Sequence, residues 1–552
     1  MGEPLTGDEH IVLRLESPEW PANESDGWGR GTHGTKIIIA NTYAKSFLVM
    51  IPEPKEKYLE AQEDLWNDYQ QVKAEKPDLA PEDLLKNFQV AFNPSLAFLW
   101  ETDCSDYHIY CSRGSRMGGS SLPHRLIDVY AYPPRLVETG DPKFEPGKYV
   151  ALSYCWGNAA RFMTLKSNIN EFLKELPYEL PQTFSDAIYV TGALGYRYLW
   201  TDALCVIQDD NADLAREIVR MDKIYQNAIF TIAAQSAAGV ADGLFNATMH
   251  PLARMACKID FTATLRKPDQ HGVGNAYFVL DTSTEPANYL SGRGWVLQES
   301  ILAPRMLLFG AQMRWRCVEE EMSEIRPVPT QYYFIPPNSG FDESSESRTQ
   351  SLRGHIYITD DDDTPPTATT AATFKAESAC ASWRQMVFDY TRRGLTFPTD
   401  VLRALVGLSR TYSEALRLTY LAGLWKESLI DDLAWFVDWE TEHRTSPLPT
   451  KPPYWTGEML IHNLPSLTQI RKSVPSWSWA AAGHAAISHR GPSQSLTSWS
   501  TIPSTPSHRP PNPQIISAFC LTPDPVHDTT LSSLRQNKTV GITMRAQLLK
   551  LC

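Results

Sequence analysis

From Tyr149 onward the apolar and polar positions alternate between strand and helix patterns. YVALSY (149–154) is a short apolar run closed by Trp156-Gly157, as in a buried strand. Pro181 and Thr183 open a helix whose Phe184, Ala187, Ile188 and Thr191 share one face, and Gly192 and Gly195 close it. YLWTD (198–202) reads as a second strand. Residues 212–225 read as an amphipathic helix. Its apolar face is Leu214, Ile218, Met221 and Tyr225, with Arg216, Glu217, Arg220 and Lys223 opposite. AIFTIAA (228–234) is a third strand. After an irregular excursion, a helix around 295–302 precedes the strands RMLLF and MRWRC. Strands and helices joined by short connections predict an α/β fold: a small parallel sheet with flanking helices.

The rest of the chain is less regular. Residues 1–120 form a mixed region. KIIIANTYAKSFLVMIP suggests two short strands, 55–92 favours helix, and SRGSRMGGSS (112–121) reads as a linker. LPHRLIDVYAYPPRLVE (122–138) looks like a strand pair leading into a domain expected over 121–330, with its core at 149–300. FDESSESRTQS and TDDDDTPPTATTAAT mark 331–375 as an acidic, Pro/Thr-rich insertion, expected to be disordered. A helical and mixed C-terminal region follows at 376–483, carried by SWRQMVFDYTRRG, TDVLRALVGLSRTYSEAL and LIDDLAWFV. Residues 484–514 are of low complexity. TVGITMRAQLLKLC closes a short β-element at 515–552 that reads as truncated.

Length and composition narrow the function classes. At 552 residues, 42% of them hydrophobic and with 16 tryptophans, the chain has material for two or three aromatic-rich domains. The net charge of −13 is spread, with no basic stripe, which argues against nucleic acid as a partner. No apolar run reaches the roughly 18 residues needed for a membrane span. The acidic N-terminus lacks the apolar region of a secretory signal. Gly2 and Thr6 fit the short myristoylation pattern, in an awkward Glu3-Pro4 context. Nine scattered cysteines, several inside apolar strands, look like reduced intracellular thiols. A cytoplasmic location is the expectation.

In open α/β sheets, ligands bind beyond the carboxyl ends of the strands. That rule selects Ser153, Tyr154, Trp156 and Gly157 after the first strand and Asp202 after the second. Gln208, Asp209 and Asp210 lie just beyond. A helix entering after the excursion would begin at the same edge, and its Trp295 and Glu299, four apart, share a face. One crevice is then expected to gather Ser153, Trp156, Asp202, Asp209 and Glu299. Other roles stay open. Trp156 and Trp295 fit as core aromatics, Asp202 as a helix cap or partner of Arg197, and Asp209 and Asp210 as caps.

Further motifs fall away. GRGTHG (29–34) precedes a strand, whereas a dinucleotide fingerprint must follow one. No GxSxG elbow or HExxH is present. Cys104, His108, Cys111 and His124 are zinc-ligating types, but their spacing departs from finger patterns and no metal is assigned.

Three segments together resemble the fungal heterokaryon incompatibility (HET) domain. They are YVALSYCWG; LPQTFSDAIYVTGALGYRYLWTDALCVIQDD continuing through MDKIYQNAIFTIAA; and GRGWVLQESILAPRMLLFG continuing to RWRC. HRLIDV upstream, and AGLW and PSWSWAA downstream, also resemble text of long family members. The chain departs from the family pattern at Gly192, Ala203 and Arg316. The resemblance implies a cytosolic factor of fungal self/non-self recognition, associated with programmed cell death and working with other incompatibility proteins or by homo-oligomerisation. A proposed distant likeness of HET to TIR domains, some of which cleave NAD, sharpens this. Ala151–Tyr154 is similar to the first TIR strand, and Trp295-Val-Leu-Gln-Glu299 to a TIR segment bearing a catalytic glutamate. That likeness implies Glu299 and Asp202 as catalytic groups. Ser153, Trp156, Gly157, Asp209 and Trp295 would contact NAD as substrate, with no resident cofactor. A non-catalytic signalling module that acts through partner assembly is the alternative.

Overall fold

A computed structural model of the chain describes residues 13–15, 36–39, 47–51, 56–78, 91–111, 122–157, 162–245, 257–264, 271–280, 287–324, 326–331, 352–357, 369–437, 474–475, 477–482, 487–489, 520–522 and 545–547. The linker at 112–121, the Gly2–Thr6 pattern, GRGTHG and most of 331–368 and 484–514 lie outside these residues. The chain divides into two compact units. One comprises residues 1–290 with 303–333, the other 291–302 with 334–552.

In the first unit the strands run, in chain order, β1 (Leu13–Leu15), β2 (Lys36–Ile39), β3 (Phe47–Ile51), β4 (Arg125–Asp128), β5 (Arg135–Glu138), β6 (Tyr149–Ser153) and β7 (Tyr198–Trp200). Then come β8 (Thr231–Ala234), β9 (Cys257–Thr264), β10 (His271–Leu280), β11 (Arg305–Phe309), β12 (Met313–Cys317), β13 (Glu320–Ser323) and β14 (Arg326–Gln331). KIIIANTYAKSFLVMIP supplies β2 and β3, which join an antiparallel five-stranded sheet in the order β1-β2-β3-β10-β9. Its strands β9 and β10 lie within the stretch that reads as an irregular excursion in the sequence.

The main sheet has nine strands in the order β14-β13-β12-β11-β8-β6-β7-β4-β5. Its centre is the expected parallel sheet: β6 pairs in parallel with β7 and β8, and β8 with β11. All residues of β6, β8 and β11 are buried, as their unbroken apolar runs require. The sheet is larger than expected and mixed. The β4–β5 hairpin adds antiparallel to β7, and the β12–β13–β14 meander adds antiparallel to β11. A four-stranded parallel sheet exposes two rows of unpaired backbone groups, and these hairpins cover them. The central strands follow the chain order second, first, third, fourth, so the winding direction reverses between β6 and β8.

The helix read over 212–225 is two helices, Asn211–Ile218 and Met221–Asn227, and of its apolar stripe only Tyr225 is fully buried. Ile218 is exposed, whereas Asp213 and Glu217 are buried. Arg125 of β4 donates to both Asp213 oxygens, at 2.8 and 2.9 Å, and turns that face inward.

The second unit contains the helix Gly294–Leu302, helical residues 352–357, and the helices Thr369–Tyr390 and Val406–Leu416. The helix Thr369–Tyr390 begins inside the stretch that reads as an insertion. LIDDLAWFV splits into a one-turn helix, Leu429–Asp432, and a strand, Trp435–Val437. The strand pairs with Ile487–His489. AGLW and PSWSWAA meet. Ser478 Oγ donates to the Ala422 carbonyl (2.6 Å), and Trp479 Nε1 to the Gly423 carbonyl (3.0 Å), which also accepts from Trp383 Nε1. Gly423 has a φ of +102°, and a Cβ there would sit 2.7 Å from Trp479 Nε1, so glycine is required.

Candidate functional site

β6 ends at Ser153, itself buried within the strand, and the chain leaves the sheet through Tyr154, Cys155, Trp156 and Gly157. β7 ends at Trp200, and Asp202 opens a single-turn helix, Asp202–Cys205. Trp156 and Asp202 are half-buried. The indole Nε1 of Trp156 donates to Asp202 Oδ2 at 2.8 Å, and the Ala203 N–H donates to Oδ1 at 2.7 Å. The Gln208 amide donates to the carbonyls of Asp202 (2.9 Å) and Val206 (3.1 Å), which ties down the turn after β7.

The loops after β6 and β8 touch across the point where the winding reverses. Gly157 has a φ of +70°, and a Cβ there would lie 2.7 Å from the Cα of Gly239. Two glycines let these backbones meet. The loop after β8 is latched to the helix Gln182–Ala193. The Thr183 N–H donates to the Val240 carbonyl (3.0 Å), Gly243 N–H to Thr183 Oγ1 (3.2 Å) and Leu244 N–H to Asp186 Oδ2 (2.7 Å). Burial raises the Asp186 carboxyl above its usual range, against the opposing Leu244 N–H and Gln182 bonds.

The turn after β7 is anchored from below its own sequence. Asp213 Oδ2 accepts from the Ile207 N–H (2.8 Å), while Arg125 reaches both Asp213 and the Cys205 carbonyl (3.0 Å). Asp209 Oδ1 accepts from the Lys166 N–H (2.8 Å), and Asp210 caps the helix Asn211–Ile218 through the Ala212 N–H (3.0 Å). Arg197 pairs with Asp128 and Glu145 rather than with Asp202.

Residues 149–299 match the model of the family described as heterokaryon incompatibility protein (HET). Residues 149–299 are a HET domain. Heterokaryon incompatibility protein 6, OR allele, of Neurospora crassa is 30% identical over 95 residues. The similarity covers 16% of this chain and 14% of that relative. No solved structure matches the chain.

The HET domain thus brings Trp156, Gly157 and Asp202 together, with Gln208 and Gly239 beside them, at the carboxyl edge of its parallel strands. Its last segment belongs to the second unit. There Trp295 hydrogen-bonds Asp400, and Glu299 is buried on the helix Gly294–Leu302. Arg353 donates to the Ser300 carbonyl (2.7 Å) and Tyr357 to that of Leu302 (2.6 Å), occupying carbonyls that a helix C-terminus leaves unpaired. Among the described residues, no helix is long and apolar enough to cross a membrane.

Sequence reasoning missed Gly239, whose signal was its place just beyond a strand end. It also missed Arg125 and Asp213, which carry no local signal. A further group was half seen. Cys104, His108 and Cys111 do converge, but their fourth neighbour is Cys317 of β12 in place of His124, with the candidate ligand atoms all within 4.8 Å of one another.

Proposed function

We propose that this protein acts in heterokaryon incompatibility as an effector of cell death, and that its HET domain binds and cleaves an NAD-type dinucleotide at the carboxyl edge. The observation that supports this reading is the Trp156–Asp202 hydrogen bond, 2.8 Å long, beside the Gly157–Gly239 contact where the winding reverses. That is the place where doubly wound sheets take nucleotides. The indole presents an aromatic face for a base, and the adjacent carboxylate an acceptor for ribose hydroxyls.

Breaking the bond between nicotinamide and ribose leaves the electron pair on the nicotinamide nitrogen and builds positive charge on the ribose, as in glycoside cleavage. Water then adds its hydroxyl to the ribose carbon and gives up a proton. A carboxylate stabilises the positive charge, and Glu299, four residues after Trp295, is the group assigned to it by the TIR likeness. Purified full-length protein, alone and under conditions that oligomerise it, is expected to release nicotinamide from NAD. Glu299→Gln should lower that rate by about 100-fold or more, the usual weight of one electrostatic catalytic group.

A second reading is a module that signals by assembly without chemistry. It draws on the fact that both Asp202 oxygens already accept hydrogen bonds, from Trp156 and Ala203. Wild-type protein that assembles yet releases no nicotinamide, with cellular NAD unchanged during incompatibility, would decide for it.

A further inference from the structure

We infer that Cys104, His108, Cys111 and Cys317 hold one zinc(II) ion in a closed tetrahedral site. The four candidate ligand atoms lie within 4.8 Å of one another. His108 Nδ1 stands 3.3 Å from Cys317 Sγ and 3.8 Å from Cys111 Sγ. A tetrahedral zinc with Zn–S bonds of about 2.3 Å sets its ligands about 3.5–3.8 Å apart, so small side-chain shifts close the rest of the cage. Three sulfurs and one imidazole are a donor set of structural zinc, and four protein ligands leave no position for substrate.

The surroundings point the same way. His108 Nε2 faces Glu320 Oε2 at 3.2 Å, which turns Nδ1 toward the sulfurs. A carboxylate on the far nitrogen is the usual companion of a metal-bound histidine. The Glu320 N–H donates to Cys317 Sγ and the Arg305 Nε–H to Cys104 Sγ, each at 3.2 Å. Such donors favour thiolates, and the Arg305 cation offsets the net negative charge of three thiolates around a dication. Cysteines buried merely as small apolar side chains need none of these partners. All three thiols are fully buried, and none forms a disulfide.

Cys104 sits on the helix Pro94–Tyr107, with His108 and Cys111 just beyond it, while Cys317 and Glu320 bracket the turn between β12 and β13. The ion would therefore tie this helix to the antiparallel side of the main sheet, joining ligands 209 residues apart in sequence. It is independent of the dinucleotide reading.

The test is elemental analysis of the full chain purified under reducing conditions, with thiol titration and cobalt(II) exchange. About one zinc per chain is expected, with thiols that become reactive on chelation and an intense tetrahedral cobalt–thiolate spectrum. Cys317→Ser should lose the ion, and His124→Ala should keep it. Should Cys317→Ser fail to fold, His108→Cys (still four ligands) and Glu320→Gln carry the test. Both should fold with the ion bound, Glu320→Gln about 10–100-fold more weakly. Folded wild-type protein that takes up no zinc, and whose thiols react equally with and without chelator, overturns the proposal. A coloured iron protein overturns the choice of zinc.

Discussion

At the carboxyl edge, Asp202 is half-buried and receives single hydrogen bonds from Trp156 and Ala203. At the cysteine–histidine cluster the sulfurs are sealed from solvent and the candidate ligands converge on one point. Both places gather reactive residue types from distant parts of the same unit, yet they are built differently. The edge is made of loops after parallel strands, held by glycine contacts and backbone latches, and part of its polar surface still meets water. The cluster has neighbours that orient or charge-balance its members. The difference separates a place suited to exchanging a ligand from a place suited to keeping one.

The largest effect expected is at the cluster. If the ion is zinc, chelation should lower the stability of the full chain by about 4 kcal/mol relative to protein in a thousandfold excess of free zinc over its dissociation constant. The melting temperature, followed with and without chelator, measures it. An unchanged melting temperature would erase the contrast between the two places.

Next comes the Arg125–Asp213 pair, which supports the turn beyond β7. Arg125→Met takes the two-point donor from buried Asp213 and leaves it only Arg216 as a cation, which should cost about 2–3 kcal/mol. Burial works to raise the Asp213 carboxyl, but Arg125 and the Ile207 N–H overcome it and hold it at about 2. A folded-state value below the ordinary carboxylate value means this contribution is complete above about pH 4. It is lost as pH falls from about 4 toward 2. Denaturant titrations across that window should therefore show a shallower acid decline for Asp213→Asn than for wild type. Parallel declines would remove the pair from the account of the edge.

These cases also show what a sequence discloses. The four parallel strands, β6, β7, β8 and β11, stand where unbroken apolar runs predict them, because strands buried on both faces must be apolar throughout. Trp156 and Asp202 were placed at one sheet edge by a rule about strand ends, which needs local pattern alone, and they do meet there. Glu217 was assigned to the polar face because periodicity treats charge as solvent-facing, yet it is buried. Asp213, which the pattern did not single out, is buried too, paired with Arg125 from far away in sequence. Cys317 was invisible for the same reason: its relation to His108 exists once β12 is paired and the helix Pro94–Tyr107 is packed. The antiparallel flanks of the main sheet follow this logic too, since the β4–β5 pair and β12 were legible, whereas β13, β14 and the attachment of both flanks were not.

The smallest effect expected in stability is at Trp156. Trp156→Phe keeps an aromatic ring and removes the indole N–H, so Asp202 Oδ2 loses its 2.8 Å donor. Asp202 is half-buried and keeps the Ala203 N–H on its other oxygen, so water can take the vacant place. The cost should be about 1 kcal/mol, the net value of one hydrogen bond, and the chelator response should not change. Dinucleotide affinity, read by calorimetry, should fall more than stability does, because the freed carboxylate and the smaller ring no longer present one fixed surface. A large loss of stability with affinity unaltered would show that the Trp156–Asp202 pair, like the cluster, serves to hold the domain together, and would take the ligand site away from this edge.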